Sequence, residues 1–149
     1  MSREIKFRGK RIDNGAWADG TLLKGKTDDE KQLAYVIPCG TRYEVMNGVL
    51  HRNTPLFEVD SKTVGQYTGL KDKNGLKEIY DDDIVKNSYL SPLDNEEKSH
   101  IWVVKYETGM YWLRHILGMK HYDSSLLLKF TRIEVIGNIH DNPELLEQS

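Results

Sequence analysis

Residues Val64–Val85 read V-G-Q-Y-T-G-L-K-D-K-N-G-L-K-E-I-Y-D-D-D-I-V. Two β-prone runs, Val64–Thr68 and Glu78–Val85, flank a polar turn that carries Lys71, Lys73 and Lys77 with Asn74-Gly75. Asn-Gly is a strong turn signal because both residues tolerate positive φ. The stretch predicts a hairpin, and the strands on either side of it have to find partners around it.

The same grammar repeats outward. Lys10–Ile12 and Ala16–Ala18 flank Asp13-Asn14-Gly15, and Ile101–Tyr106 and Tyr111–Ile116 flank Glu107-Thr108-Gly109. Each reads as a hairpin. Glu4–Arg8 alternates, which places Ile5 and Phe7 on a core face and Glu4, Lys6 and Arg8 on the other. Leu33–Ile37 reads as a strand ended by Pro38, which has no N–H for a ladder. Tyr43–Met46 and Val49–Arg52 read as short strands around Asn47-Gly48, and Phe57–Asp60 leads into the central stretch.

Leu126–Phe130 and Arg132–His140 are the last predicted strands. The polar segments Lys24–Gln32 and Lys86–Ser99 read as solvated loops, the second with room for one helical turn. The tail switches grammar: Asn142 suits an N-cap, Pro143 the first helical position and Glu144 the positive end of the dipole.

The 149 residues suffice for one domain with an appendage. The expected fold is mainly β. Residues 59–149 form a small barrel with a short C-terminal helical turn, and residues 1–58 add an N-terminal β layer. Trp17, Tyr67, Trp102 and Trp112 are the expected core anchors. A net charge of −2 implies no general attraction to nucleic acid or to anionic membrane. Cys39 is the single cysteine, which excludes an intrachain disulfide and favours a reducing compartment. The alternating N-terminus has no apolar run of signal-peptide type, and no stretch approaches the ~20 apolar residues of a membrane helix. A cytoplasmic protein with no membrane contact is expected.

Chemistry-bearing patterns are sparse. In Asp81-Asp82-Asp83, strand alternation would let Asp81 and Asp83 share a side but not Asp82, so a turn explains the run better than a cation site. His51, His100, His115, His121 and His140 show no metal-ligand spacing, although His115 and His121 flank Gly118 and could meet across a turn. Ser124-Ser125 and Cys39 lack a nucleophile's context, and Gly65–Gly69 matches no phosphate-loop fingerprint. No catalytic residue, metal or cofactor is expected. Arg3, Lys6, Arg8 and Lys10, with Lys71 in the central turn, make up a basic face of the kind with which small barrels contact oligonucleotides. Tyr106, Tyr111, Trp112 and Tyr122 read as core and rim more readily than as a groove. Short apolar strands with open edges favour self-association.

Four of these stretches also carry a family likeness. R-E-I-K-F-R-G-K (Arg3–Lys10) followed by Trp17, V-G-Q-Y-T-G-L-K-D-K-N-G (Val64–Gly75), E-I-Y-D-D-D-I-V (Glu78–Val85) and I-E-V-I-G-N-I-H-D-N-P-E-L-L (Ile133–Leu146) occur in this order. Together they resemble the YopX family, small proteins carried by bacterial phages and prophages. Residues 24–55 and 86–130 carry little of the resemblance. Two departures stand out: Asp82 where the family usually has Gly, and an extra Leu76 in the central turn. If position 82 needs positive φ, Asp tolerates it less well than Gly. The resemblance implies an SH3-like barrel and an oligomeric assembly, and it carries over no activity. The sequence thus points to a non-enzymatic, self-associating phage or prophage accessory protein, with nucleic-acid binding through the basic face as the alternative.

Overall fold

A computed structural model describes residues 4–147. The chain divides into two compact units, the first ending at Gln66 and the second beginning at Tyr67.

The first unit contains β1 (Phe7–Lys10), β2 (Trp17–Lys26), β3 (Gln32–Pro38), β4 (Tyr43–Met46), β5 (Val49–Arg52), β6 (Phe57–Glu58) and the start of β7 (Gly65–Lys71). The sheet runs β6-β3-β2-β1-β7, while β4 and β5 pair only with each other. Its core is Ala18, Ala34, Val36 and Val59, with Leu22, Phe57 and Val64 packed against it. Gly9 lets β1 lie against this core, since a Cβ there would stand 2.8 Å from Val59 Cγ2.

That contact corrects the expected N-terminal strand. The ladder starts at Phe7, Ile5 is 65% exposed, and Lys6 is buried instead. Trp17 is likewise no core anchor: Ala18 points inward and Trp17 is half-buried, the inversion that one residue of register produces. The predicted loop Lys24–Gln32 shrinks to Thr27–Lys31, since the ladder runs on with Lys24 opposite Ala34 and Lys26 opposite Gln32. A long hairpin needs no apolar residues once its base is anchored.

In the second unit, Tyr67 of β7 pairs with Tyr80 of β8 (Glu78–Tyr80), and Lys71 with Glu78. There follow β9 (Asp83–Leu90), β10 (Glu97–Glu107), β11 (Met110–His115), β12 (Ser124–Ser125), helix α1 (Leu126–Lys129) and β13 (Glu134–Asn138). The main sheet runs β12-β11-β10-β9-β13. It is open, and this overturns the expected closed barrel. β12 lasts two residues before α1 turns the chain away, and β13 is bulged between Val135 and Gly137. Short and bulged edges blunt a sheet without closing it.

Ile79, Val85, Trp102, Val104, Leu113, Leu126 and Ile133 form the second core, so Trp102 is an anchor, and Tyr67 is also buried. Trp112 is half-buried, its indole N–H donating to the Glu107 carbonyl at 3.2 Å. Two further expectations are corrected. Of Lys86–Ser99 only residues 91–96 are a loop, because β9 and β10 pair as far as Leu90 opposite Glu97. Leu126–Phe130 is helix plus a 3-10 turn rather than strand. A run of three leucines has no period that separates helix from strand, and of the three only Leu126 is buried.

The central turn is fastened by a residue the sequence reading passed over. Asp72 is buried; one carboxylate oxygen accepts from Asn74 N–H at 3.2 Å and the other from Val135 N–H at 3.3 Å. Lys73 N–H donates to the Ile133 carbonyl at 2.8 Å, and Lys77 Nζ to the Val135 carbonyl at 3.2 Å. The central stretch and the C-terminal I-E-V-I-G-N-I-H motif therefore form one assembly.

Candidate functional site

Arg3 lies outside the described residues. Of the other basic-face residues, Lys6 is buried with its Nζ 3.5 Å from the Glu4 carboxylate. The β1–β2 register places Lys10 opposite Trp17 and Arg8 opposite Asp19. The Arg8 guanidinium lies 4.8 Å and Lys10 Nζ 5.8 Å from the centre of the Trp17 ring. Arg11 sits 3.8 Å from the Phe57 ring centre while also bridging to Asp13 at 2.6 Å. The first unit therefore joins Arg8, Lys10 and Trp17 in one cation–aromatic group. Lys71 is exposed on β7 in the second unit.

The acidic run does three separate jobs. Asp83 is buried and accepts Tyr80 N–H at 2.7 Å. Asp82 has φ of +72°, donates its N–H to the Val104 carbonyl at 2.9 Å and accepts Ile139 N–H at 3.1 Å. Its carboxylate pairs with Lys105 and lies 3.2 Å from His140 Nε2. Asp81 is half-buried, and its Oδ1 has no hydrogen-bond partner. Desolvation, then the neighbouring Asp82 charge, push its carboxyl pKa up. Among the described residues no three His, Cys, Asp or Glu side chains converge as a metal site. The turn reading of this run is the one the geometry supports.

A histidine–aromatic cluster in the second unit was missed. His100 Nδ1 and His115 Nε2 are 3.3 Å apart, and Tyr89 Oη lies 3.4 Å from His100 Nε2. The Tyr122 ring lies 4.3 Å from that of His100 and 5.1 Å from that of His115. Trp102 lies beneath, its indole N–H donating to the Tyr122 carbonyl at 3.2 Å. Desolvation leads in lowering both histidine pKa values; His121 lowers them further, and Asp123 opposes it at His115. The signal was present in the Glu107-Thr108-Gly109 turn. It sets Trp102 opposite His115, and alternation then puts His100 on the same face.

An exposed apolar ribbon belongs to the first unit. In the β4–β5 ribbon Tyr43 faces Arg52, Glu44 faces His51, Val45 faces Leu50 and Met46 faces Val49. All eight are exposed, Val45 at 70% and Leu50 at 62%. Asn47 and Gly48 take positive φ of 52° and 76° in the predicted turn. Alternation puts Tyr43, Val45, Leu50 and Arg52 on one face and Glu44, Met46, Val49 and His51 on the other. Neither face has a covering layer, and a lone two-stranded hairpin is marginal in water.

These features define a β-rich protein of two sheet-bearing units, with cation–aromatic and histidine–aromatic clusters and an uncovered ribbon. The chain belongs to the YopX family, whose model matches residues 6–147 under the description YopX protein. It is 36% identical over 121 residues to the SPbeta prophage-derived uncharacterized protein YopX of Bacillus subtilis (strain 168), covering 80% of this chain and 86% of that one. Among solved structures, protein EF1440 from Enterococcus faecalis matches with a TM-score of 0.60 at 24% identity, over 97% of this chain and 99% of that one. Protein yopX from Bacillus subtilis matches with a TM-score of 0.48 at 22% identity, over 97% of each chain. The EF1440 likeness bears on the fold alone. No helix among the described residues is long and apolar enough to cross a membrane.

Proposed function

We propose that this chain is a non-catalytic accessory protein of prophage origin, working in the bacterial cytoplasm by self-association and binding. The observation that carries the reading is the β4–β5 ribbon, where four aliphatic or thioether side chains stand in water on a two-stranded sheet. The occupant is a second copy of the same chain. Within the hairpin Glu44 already lies opposite His51 and Val45 opposite Leu50. A copy's β4 laid in that register along the open edge of β5 repeats each pair and satisfies the edge N–H and C=O groups.

Solution mass measured over a range of concentrations tests this. The wild type is expected at a multiple of the chain mass, and Val45→Asp/Leu50→Asp at the mass of one chain. A wild type that stays a single chain at every concentration overturns the reading.

The Arg8–Lys10–Trp17 group supports a second reading, nucleic-acid binding, because cations interleaved with an aromatic are what a single strand stacks and tracks on. Affinity for a labelled oligonucleotide would then fall steeply with salt. Absence of binding at low salt removes it.

A further inference from the structure

We propose that the His100–His115 pair is a proton-operated latch that holds residues 116–123 against β10 and β11 and lets them go on acidification. The hydrogen bonds fix where the protons are. Leu117 N–H can only donate, and it does so to His115 Nδ1 at 3.3 Å. That nitrogen is therefore bare, and the ring proton sits on Nε2. His115 Nε2–H then donates to His100 Nδ1 at 3.3 Å, which puts the proton of His100 on Nε2, facing Tyr89 Oη at 3.4 Å. The chain Leu117 → His115 → His100 → Tyr89 is satisfied only when both rings are neutral.

One added proton breaks it wherever it lands. On His115 Nδ1 it displaces the Leu117 N–H. On His100 Nδ1 it sets two N–H groups against each other across 3.3 Å. The segment that depends on this pair is otherwise held by a handful of bonds, among them Gly118 N–H to the His115 carbonyl at 2.9 Å and Arg114 Nη1–H to Asp123 at 3.1 Å. Ile116 N–H donates to the Ile101 carbonyl at 3.2 Å, Trp102 Nε1–H to the Tyr122 carbonyl at 3.2 Å, and His115 N–H to Asp123 Oδ1 at 2.8 Å.

The surrounding charges set the direction. Lys129 from α1, with its Nζ 5.0 Å from the Trp102 ring centre, opposes a cation on His100, and His121 opposes one on either ring. Asp123 favours a cation on His115, but it already accepts Arg114 Nη1–H at 3.1 Å, and Arg114 also bridges to Glu107. From β9, the Tyr89 hydroxyl faces His100 Nε2 at 3.4 Å. Release of 116–123 would uncover Trp102, which is fully buried.

Amide hydrogen exchange of residues 116–123, corrected for intrinsic rates, tests the latch on the full chain. Exchange should rise at least about tenfold between about pH 7.5 and about pH 5 while the inner β9 amides, at Ile84 and Val85, stay protected. His115→Asn keeps an acceptor near the Nδ1 position and removes one of the two titrating rings, so its exchange should rise clearly less than that of the wild type. Equal protection of the wild type at both pH values overturns the proposal, as does an equal response in His115→Asn. Should that variant not fold, NMR titration of the wild type decides. The His100 and His115 rings and the Leu117 amide must move with one midpoint, and separate midpoints overturn it.

Discussion

His140 Nε2 lies 3.2 Å from Asp82 Oδ2, joining residues 58 apart in sequence. The Ile139 N–H bond to the Asp82 carbonyl reinforces the contact, so the C-terminal motif grips the β8–β9 turn through backbone and side chain together. Asp82 has a φ of +72°, so this position takes the left-handed region that glycine adopts most easily. Against that backbone cost the carboxylate sets an ion pair with Lys105 and its contact with His140 Nε2.

Asp82→Gly and Asp82→Ala separate these two effects. Both lose the carboxylate, but only alanine keeps the left-handed penalty of about 1–2 kcal/mol. Urea unfolding should therefore find Ala less stable than Gly by about 1 kcal/mol. Equal stabilities would mean the turn relaxes out of positive φ.

Asp81→Asn should stabilise the protein at neutral pH. The Asp81 carboxyl has a raised pKa in the fold, so the native state binds its proton more readily than the unfolded chain does. Its stability contribution is present below the unfolded value, near 3.8, and is lost as pH rises through the folded one. The gain in melting temperature from Asn should appear at neutral pH and vanish towards pH 3.8. A gain independent of pH would point to packing instead.

His100 and His115 give the opposite slope. Their folded pKa values lie below 6.5, so on acidification the unfolded chain takes up protons first. Stability should be full above about 6.5 and decline as pH falls from there to the folded values. His115→Asn should flatten that limb, as read from melting temperature against pH.

Gly137→Ala should destabilise by about 1–3 kcal/mol, the usual cost of overpacking. A Cβ at Gly137 would run into Asn142 Oδ1, the atom that accepts Asn138 N–H at 3.3 Å. Asn142→Gly alone should cost less than Gly137→Ala, and the double variant should be more stable than the sum of the two costs predicts. Strict additivity would place the damage elsewhere.

Turn chemistry made much of the fold legible in the sequence. Asn47-Gly48 and Thr108-Gly109 define their hairpins because the residues that reverse the chain are chemically distinctive. Faces were less legible. Ile5, Lys6 and Trp17 were misassigned because Gly9 on Val59 fixes which side of β1 is inside, and a glycine contributes nothing to an apolar pattern. The long polar ladders of β2–β3 and β9–β10 escaped for a related reason, since backbone pairing leaves no mark on composition. Closure was overestimated because a count of strands says nothing about β12 ending after two residues. At the candidate sites, the charge pattern singles out Arg8 and Lys10 but not the Trp17 ring they share, and the histidine pair needed the β10–β11 register carried through to His100.

The β9–β10 ladder has a wet end and a dry end. From Leu90–Glu97 to Ser88–Ser99 its rungs are open to water, whereas Val85–Trp102 and Ile84–Val103 sit in or beside the second core. Such a zipper opens from its free tip inward, and thermal agitation alone will unpick the outer rungs many times before the inner ones part. Amides at Tyr89 and Lys98 will trade their protons quickly, and those of Val85 and Trp102 only when the whole second unit comes undone.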